Sequence, residues 1–89
     1  MVESDAEIVN RLGLHARAAA KLVHLATGYE ADVLLCSEGQ EVDAKSILGV
    51  LLLAAAQGMT IRVRCDGEQE QEALAAILAL IAGRFGEGE

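Results

Sequence analysis

The chain has no proline and no tryptophan, and its 89 residues include only one tyrosine and one phenylalanine. These absences exclude a core built on aromatic packing, so the interior must consist of Leu, Ile, Val and Ala. The longest apolar run, residues 47–56, is far shorter than the roughly 20 residues needed to cross a bilayer. Residues 1–5 are acidic and lack the apolar segment of a signal peptide. We therefore expect a soluble cytoplasmic protein without membrane insertion.

Positive charge is also scarce, since seven Lys and Arg residues stand against 14 Asp and Glu residues, which gives a net charge of −7 at pH 7. This balance argues against nucleic acid as a partner, because binding to phosphate backbones needs a basic surface. Four of the seven cations nevertheless lie in the first half of the chain, at Arg11, Arg17, Lys21 and Lys45. The grouping allows two interpretations, a small anion-binding site and ordinary surface charge.

Cysteine is represented only by Cys36 and Cys65, whose spacing fits no metal-binding motif. Both lie in apolar stretches that we interpret as strands, and we expect buried, reduced thiols rather than a disulfide or a redox site. No metal site and no cofactor is predicted. Apolar residues make up 53% of the chain, which argues against disorder and favours one folded domain over residues 1–89.

Hydrophobic periodicity and turn residues predict the element order β-α-β-β-α-β-α. Asp66 and Gln69 have the spacing of a capping box for the last helix. We expect frayed tails at residues 1–5 and 86–89. An antiparallel sheet with helices on one face buries the apolar stripes, but several small α+β folds, ferredoxin-like metabolite-binding domains among them, share most of this order. The predicted elements are strands at 6–10, 31–36, 41–43 and 60–65, and helices at 16–26, 47–57 and 67–85.

The second predicted helix presents apolar residues on nearly all sides. Ser46 stands where its N-cap residue belongs. The apolar residues that follow cannot all face one core: Ile47, Leu48, Leu51 and Leu52. Such a helix is either fully buried or carries a docking face for a partner. We expect Ile47, Leu48 and Leu51 to form the exposed, docking part.

The segment Gly13–Arg17 places a histidine at the start of the first predicted helix. Gly13 allows close backbone approach, and the N–H groups of Ala16 and Arg17 at a helix N-terminus suit phosphate oxygens. The guanidinium of Arg17 adds a cationic fork, and His15 at the centre is a nucleophile that can carry the phosphoryl group itself. The spacing alone also fits a capping histidine without chemistry. His24, on a solvated face without a motif, is expected to be an ordinary surface residue.

Two segments, Gly13–Arg17 and Lys45–Val50, resemble the two signature motifs of the HPr family, the histidine-containing phosphocarriers of the bacterial phosphoenolpyruvate-dependent phosphotransferase system. Their order and separation match as well, and the resemblance extends from about residue 6 to residue 85. It implies an α+β fold, the HPr-like open-faced β-sandwich, in which three helices cover one face of a four-stranded antiparallel sheet.

The resemblance also implies a function. His15 would accept a phosphoryl group on Nδ1 from phosphorylated enzyme I and pass it to a histidine of an enzyme IIA domain, with Arg17 assisting at the phosphate. Ser46 matches the position that a dedicated HPr serine kinase/phosphorylase modifies in many relatives. The short second helix would meet enzyme I and the acceptor domain. The resemblance thus implies a monomeric phosphoryl carrier of sugar transport, itself transiently phosphorylated, rather than an enzyme.

Two residues depart from the family pattern. Ala18 stands where proline usually follows the arginine, and Leu12 replaces a polar residue common in the sugar-transporting members. Both resemble the nitrogen-related, regulatory branch, so the downstream pathway stays open. The first alternative is therefore a regulatory protein of the same fold, whose phosphorylation at His15 or Ser46 signals to partners. The second is the ferredoxin-like metabolite-binding domain.

Overall fold

A computed structural model describes all 89 residues of the chain. The elements follow in the predicted order, and a short 3-10 turn at Arg84–Gly86 ends the last helix. The strands are β1 (Val2–Glu7), β2 (Asp32–Ser37), β3 (Gln40–Asp43) and β4 (Thr60–Asp66), and the helices are α1 (Ala16–Thr27), α2 (Ile47–Leu53) and α3 (Glu70–Ala82).

The four strands form one antiparallel sheet in the order β1-β4-β2-β3. Arg62 and Arg64 of β4 point to the uncovered face, where they pair with the carboxylates of Asp5 and Glu3 on β1. Ile61 and Val63 point to the opposite face and are fully buried beneath the helices. This architecture is the open-faced α+β sandwich, and the predicted fold class is confirmed.

The core is aliphatic, as the composition predicts, and 20 buried residues form one cluster. On α1, Ala19, Leu22 and Ala26 are buried, Val23 is half-buried, and His24 is exposed on the solvated face, as predicted for that histidine. Phe85 is the one aromatic residue in this cluster. It lies just beyond α3 and is completely buried. No helix of this fold is both long enough and apolar enough to span a membrane.

The N-terminal strand begins four residues earlier than predicted. Residues 1–5 were expected to fray, but β1 starts at Val2, and its six residues pair with β4 from Val2↔Cys65 to Glu7↔Thr60. The prediction is wrong because inward residues alternate with Glu3, Asp5 and Glu7, whose acidic side chains make the segment look like a solvated tail. The strand ends at Glu7 rather than at residue 10.

Three predicted helix boundaries in the second half are also wrong: the end of the second helix, the start of the third, and the end of the third, which lies at Ala82 rather than at residue 85. The second helix was expected to reach residue 57, but it ends at Leu53, because Ala54 takes the left-handed conformation with φ of 52°. Asp66 does not cap α3, since it still belongs to β4 and its carboxylate lies 3.6 Å from the N-terminal amine. The helix starts at Glu70, and its N-cap residue Gln69 makes no capping bond with its side chain.

Both cysteines are free thiols. Cys65 is buried in the core and Cys36 is half-buried on β2. Burial raises the pKa of each thiol above its ordinary value. A raised pKa keeps the thiol protonated near neutral pH. The predicted burial is therefore confirmed for Cys65 and wrong for Cys36, which is only half-buried.

Candidate functional site

His15 is the N-cap residue of α1 and lies where the loop from β1 meets the helix. Its backbone is extended, with φ of −72° and ψ of 178°, and the helix begins at the next residue. The ring nitrogen Nδ1 accepts a hydrogen bond of 3.3 Å from the Arg17 N–H. The side chain is 26% exposed, so the ring is held in place but is still open to a partner.

The backbone donors at the start of α1 are only partly available. The first helical bond runs from the Ala19 N–H to the His15 carbonyl, at 2.8 Å. The N–H groups of Ala16 and Ala18 find no acceptor within the chain, as expected of a helix N-terminus. Of the two predicted phosphate donors, the Ala16 N–H is therefore free, whereas the Arg17 N–H is already bonded to the imidazole.

The loop before His15 is fixed against the segment that follows α2. Gly13 has φ of 65°, and a Cβ at this position would lie 2.6 Å from the Ala55 carbonyl oxygen. The same carbonyl accepts a hydrogen bond of 2.9 Å from the Leu14 N–H. Only glycine combines the left-handed conformation with so close an approach, so the loop sets the position of His15 relative to α2.

The C-terminal residues 86–89 are ordered against the site, and the prediction of a frayed tail is wrong. The Glu87 carboxylate accepts a hydrogen bond of 3.0 Å from Asn10 Nδ2 and a second one from His15 Nε2. Lys21 Nζ donates to the Phe85 carbonyl at 2.6 Å. Asn10, which is buried, also donates to the Gly13 carbonyl at 2.8 Å. The tail and the loop thus meet at the histidine.

Neither Glu87 nor Asn10 was recognised in the sequence. The tail Gly-Glu-Gly-Glu has the composition of a flexible end, and Asn10 was placed in a strand. One signal was available, namely the single phenylalanine three residues beyond α3. Because the core excludes water from Phe85, that residue anchors the tail and brings Glu87 back to the loop.

Hydrogen bonding keeps the Glu87 carboxyl ionised. The bond from Asn10 contributes most, followed by the bond from His15, and together they hold the pKa of Glu87 below its ordinary value. A carboxylate that accepts two donors is stabilised in its charged form. An anion therefore lies beside Nε2 of the histidine throughout the neutral pH range.

A cleft of about 640 Å³ opens beside the histidine. Arg17 lines the cleft, and its side chain makes no ion pair within the chain. Arg11 also borders the cleft, but it is paired with Glu89 at 3.0 Å. Of the four cations grouped in the sequence, Lys21 binds the tail and Lys45 donates to the Tyr29 carbonyl at 3.1 Å. The full set lining the cleft is Arg11, Leu12, His15, Ala16, Arg17, Glu87, Gly88 and Glu89.

Ser46 occupies the predicted N-cap of α2, and its Oγ accepts a hydrogen bond of 3.2 Å from the Gly49 N–H. The exposure predicted for Ile47, Leu48 and Leu51 is confirmed at 40%, 69% and 37%. Leu52, which the prediction left out, is exposed to 73%. We call these four side chains the α2 surface. The bond between Leu14 and Ala55 brings the end of α2 to the loop that carries His15.

The protein-family model described as "PTS HPr component phosphorylation site" matches residues 2–83 of the chain. The chain belongs to the HPr family. It is 55% identical to the phosphocarrier protein HPr of Cupriavidus necator over the full length of both, and 47% identical to the phosphocarrier protein NPr of Escherichia coli over 97% of each. The crystal structure of HPr from Thermoanaerobacter tengcongensis superposes with a TM-score of 0.97 at 37% identity, covering 100% of both chains.

Membership of the HPr family assigns the chain a general role as a phosphocarrier of the phosphotransferase system. The fold is that of solved HPr structures, so the ferredoxin-like alternative that the element order left open is wrong. Both HPr and NPr proteins are among the relatives.

Proposed function

We propose that His15 accepts a phosphoryl group on Nδ1 from phosphorylated enzyme I and passes it to a histidine of an enzyme IIA domain. The observation that carries this proposal is the placement of Nδ1 at the N-terminus of α1, in a cleft that is also lined by Arg17, whose side chain forms no ion pair. Positive partial charge from the helix end and the full charge of Arg17 face the same cleft. Phosphoryl transfer depends mainly on such positioning and electrostatics.

The proposed step forms one bond and breaks one. The lone pair of Nδ1 attacks phosphorus, and the bond between phosphorus and its donor atom on enzyme I breaks, returning its electron pair to that donor. The long 3.3 Å bond from the Arg17 N–H to Nδ1 is given up, and that N–H turns to a phosphoryl oxygen. The free Ala16 N–H and the Arg17 guanidinium bind the remaining oxygens.

The α2 surface is the proposed docking site for enzyme I and the IIA domain. Four exposed aliphatic side chains on a helix of seven residues form an apolar patch that a partner can cover. Leu12, exposed to 61%, extends apolar area towards the cleft. Because donor and acceptor must contact His15 in turn, we propose a monomer that exchanges between them in the cytoplasm, without a cofactor.

A regulatory role is the second candidate, and the position of Ser46 favours it. Its Oγ lies at the N-terminus of α2, directly before Ile47 and Leu48 of the α2 surface. A phosphate placed there by an HPr serine kinase/phosphorylase would add a charge of about −1.5 to −2, which the helix N-terminus tolerates. The fold would survive, and docking would weaken. Whether sugar uptake or nitrogen-related regulation lies downstream depends on the acceptor that binds.

The decisive experiment incubates the protein with phosphoenolpyruvate and enzyme I and measures intact mass. We expect the wild-type chain to gain the mass of one phosphoryl group, which acid removes, and the His15→Ala variant to gain nothing. His24→Ala, which changes an exposed histidine of the same helix, is the matched control and should gain the group. Transfer to His15→Ala, or none to the wild-type chain with an active enzyme I, would refute the proposal.

The same assay tests the regulatory candidate with two variants of Ser46. Ser46→Asp should accept phosphate more slowly than the wild-type chain. Ser46→Ala loses only the cap, at a cost of about 1 kcal/mol in stability, and should accept phosphate at the wild-type rate. Equal rates for both variants would remove the case for regulation at this position.

A further inference from the structure

Each ring nitrogen of His15 has its own partner. Nδ1 faces the Arg17 N–H, which is a donor, so Nδ1 must carry a lone pair. Nε2 faces the Glu87 carboxylate, which only accepts, so Nε2 must carry the proton. The two contacts come from opposite ends of the chain, and both require the same tautomer of the imidazole.

Asn10 fixes the carboxylate that holds Nε2. Its side-chain nitrogen donates to the Gly13 carbonyl and to Glu87 Oε1, at 2.8 and 3.0 Å. Because both neighbours are acceptors, the orientation of the buried amide is determined. Asn10 and Gly13 belong to the loop that carries His15, so the loop itself sets the distance between the carboxylate and the ring.

We propose that Glu87 is a positioning residue for phosphoryl transfer, because its carboxylate, held by Asn10, keeps the proton of His15 on Nε2 and leaves the lone pair of Nδ1 directed at the incoming phosphoryl group. The inference rests on the proposed function of His15. It extends that function to a residue in the C-terminal tail, which joins the site only through the fold.

The carboxylate serves both directions of transfer. When the Nδ1–P bond forms, the ring still carries its Nε2 proton and becomes a cationic imidazolium, whose charge the adjacent Glu87 carboxylate balances. When the Nδ1–P bond breaks towards the acceptor, the electron pair returns to Nδ1 and the ring is neutral again. The proton stays on Nε2 throughout. A carboxylate behind a catalytic histidine plays the same orienting role in serine hydrolases.

The alternative is that Glu87 slows phosphoryl transfer by repelling the phosphoryl group, and the experiment must distinguish this repulsion from orientation of the His15 ring. Glu87 and Glu89 add negative charge to a cleft that would receive an anion, and such charge slows association if it faces the phosphoryl group. Glu87 bonds to Nε2, however, which lies across the ring from Nδ1. The carboxylate is therefore placed to orient the ring rather than to occupy the phosphoryl position.

The first test measures the tautomer of His15 by ¹⁵N NMR on histidine-labelled protein, well above neutral pH. We expect the wild-type ring almost entirely in the Nε2–H form, and a mixture with the Nδ1–H form in Glu87→Ala. Glu89→Ala is the matched control, because Glu89 belongs to the same tail but pairs with Arg11. Its spectrum should match the wild type. An unchanged tautomer in Glu87→Ala would overturn the proposal.

The second test measures the rate of phosphorylation by enzyme I. Loss of a group that orients a reactive histidine should lower the maximal rate of Glu87→Ala about tenfold. The concentration of the chain at half-maximal rate should hardly change, since Glu87 lies outside the α2 surface. A faster rate would overturn the proposal and make the tail inhibitory. If the wild-type chain takes no phosphate, the proposed function fails and the transfer role with it, while the tautomer still reports whether Glu87 orients the ring.

Discussion

Gly13 illustrates how far the site depends on single backbone positions. The residue holds a left-handed conformation, and its Cα lies so near the Ala55 carbonyl that a Cβ has no room. Its own carbonyl accepts the bond from Asn10, which also holds Glu87. One glycine therefore joins the loop, the segment after α2 and, through Asn10, the C-terminal tail.

The Gly13→Ala variant should lose both stability and phosphoryl acceptance. An alanine pays roughly 1–2 kcal/mol for the left-handed conformation, and overpacking against Ala55 should add about 1–3 kcal/mol. Gly58→Ala is the matched control, because Gly58 has φ of 90° but open space around its Cα. Urea denaturation should show a larger loss for Gly13→Ala than for Gly58→Ala. Equal losses would show that the contact with Ala55 is not tight.

At the scale of elements, the sequence predicted what local patterns encode and missed what tertiary contacts decide. The start of α2 was predictable because a serine before an apolar run is a helix cap in its own right. The end of α2 was not, since Ala54 is an alanine in a conformation that favours glycine. Gln69 was assigned to a capping box, but its side chain instead accepts a bond of 2.8 Å from the Glu30 N–H.

The functional site shows the same difference between residues predicted from local motifs and residues placed by tertiary contacts. His15 and Arg17 were predictable because a local motif at a helix start carries their chemistry. Glu87 was not, because it reaches His15 across 72 positions of sequence, through the burial of Phe85 and the bond from Lys21 to the Phe85 carbonyl. The polar tail has no periodicity of its own, and the single phenylalanine before it is the one sign in the sequence that the tail is held against the fold.

The docking role proposed for the α2 surface can be tested by substituting one of its exposed leucines. Leu48→Glu should weaken binding to enzyme I at least about tenfold, because a charge replaces an exposed apolar contact in a docking patch. Stability should change by no more than about 0.5 kcal/mol, since Leu48 is exposed. Ala79→Glu puts the same charge on an exposed position of α3 and is the control. Calorimetric titration should find weakened binding for Leu48→Glu alone, and equal effects would remove α2 as the docking site.

On the scale of the whole molecule, both ends of the chain are fastened through carboxylates. The N-terminal amine lies 3.0 Å from Glu70, whose pKa is lowered chiefly by a hydrogen bond from the Gly67 N–H. The C-terminal tail is held through Glu87, whose pKa is also lowered. Both groups bind protons more weakly in the folded chain than in the unfolded one. Folding stability therefore falls in acid, as these carboxylates become protonated.

The contribution of Glu87 has a definite sign and pH window. Since its folded pKa lies below the ordinary value of 4.5, the stability it adds is fully present above that value and is lost as the pH falls through the folded pKa. Thermal unfolding of the wild-type chain and Glu87→Ala between about pH 5 and about pH 3, where carboxylates titrate, should show a gap that closes in acid. Glu89→Ala keeps the Glu87 carboxylate and should follow the wild-type profile. A gap that persists at the lowest pH would mean that the Glu87 side chain stabilises the fold without its charge, and no gap at any pH would mean that Phe85 and Lys21 hold the tail without Glu87.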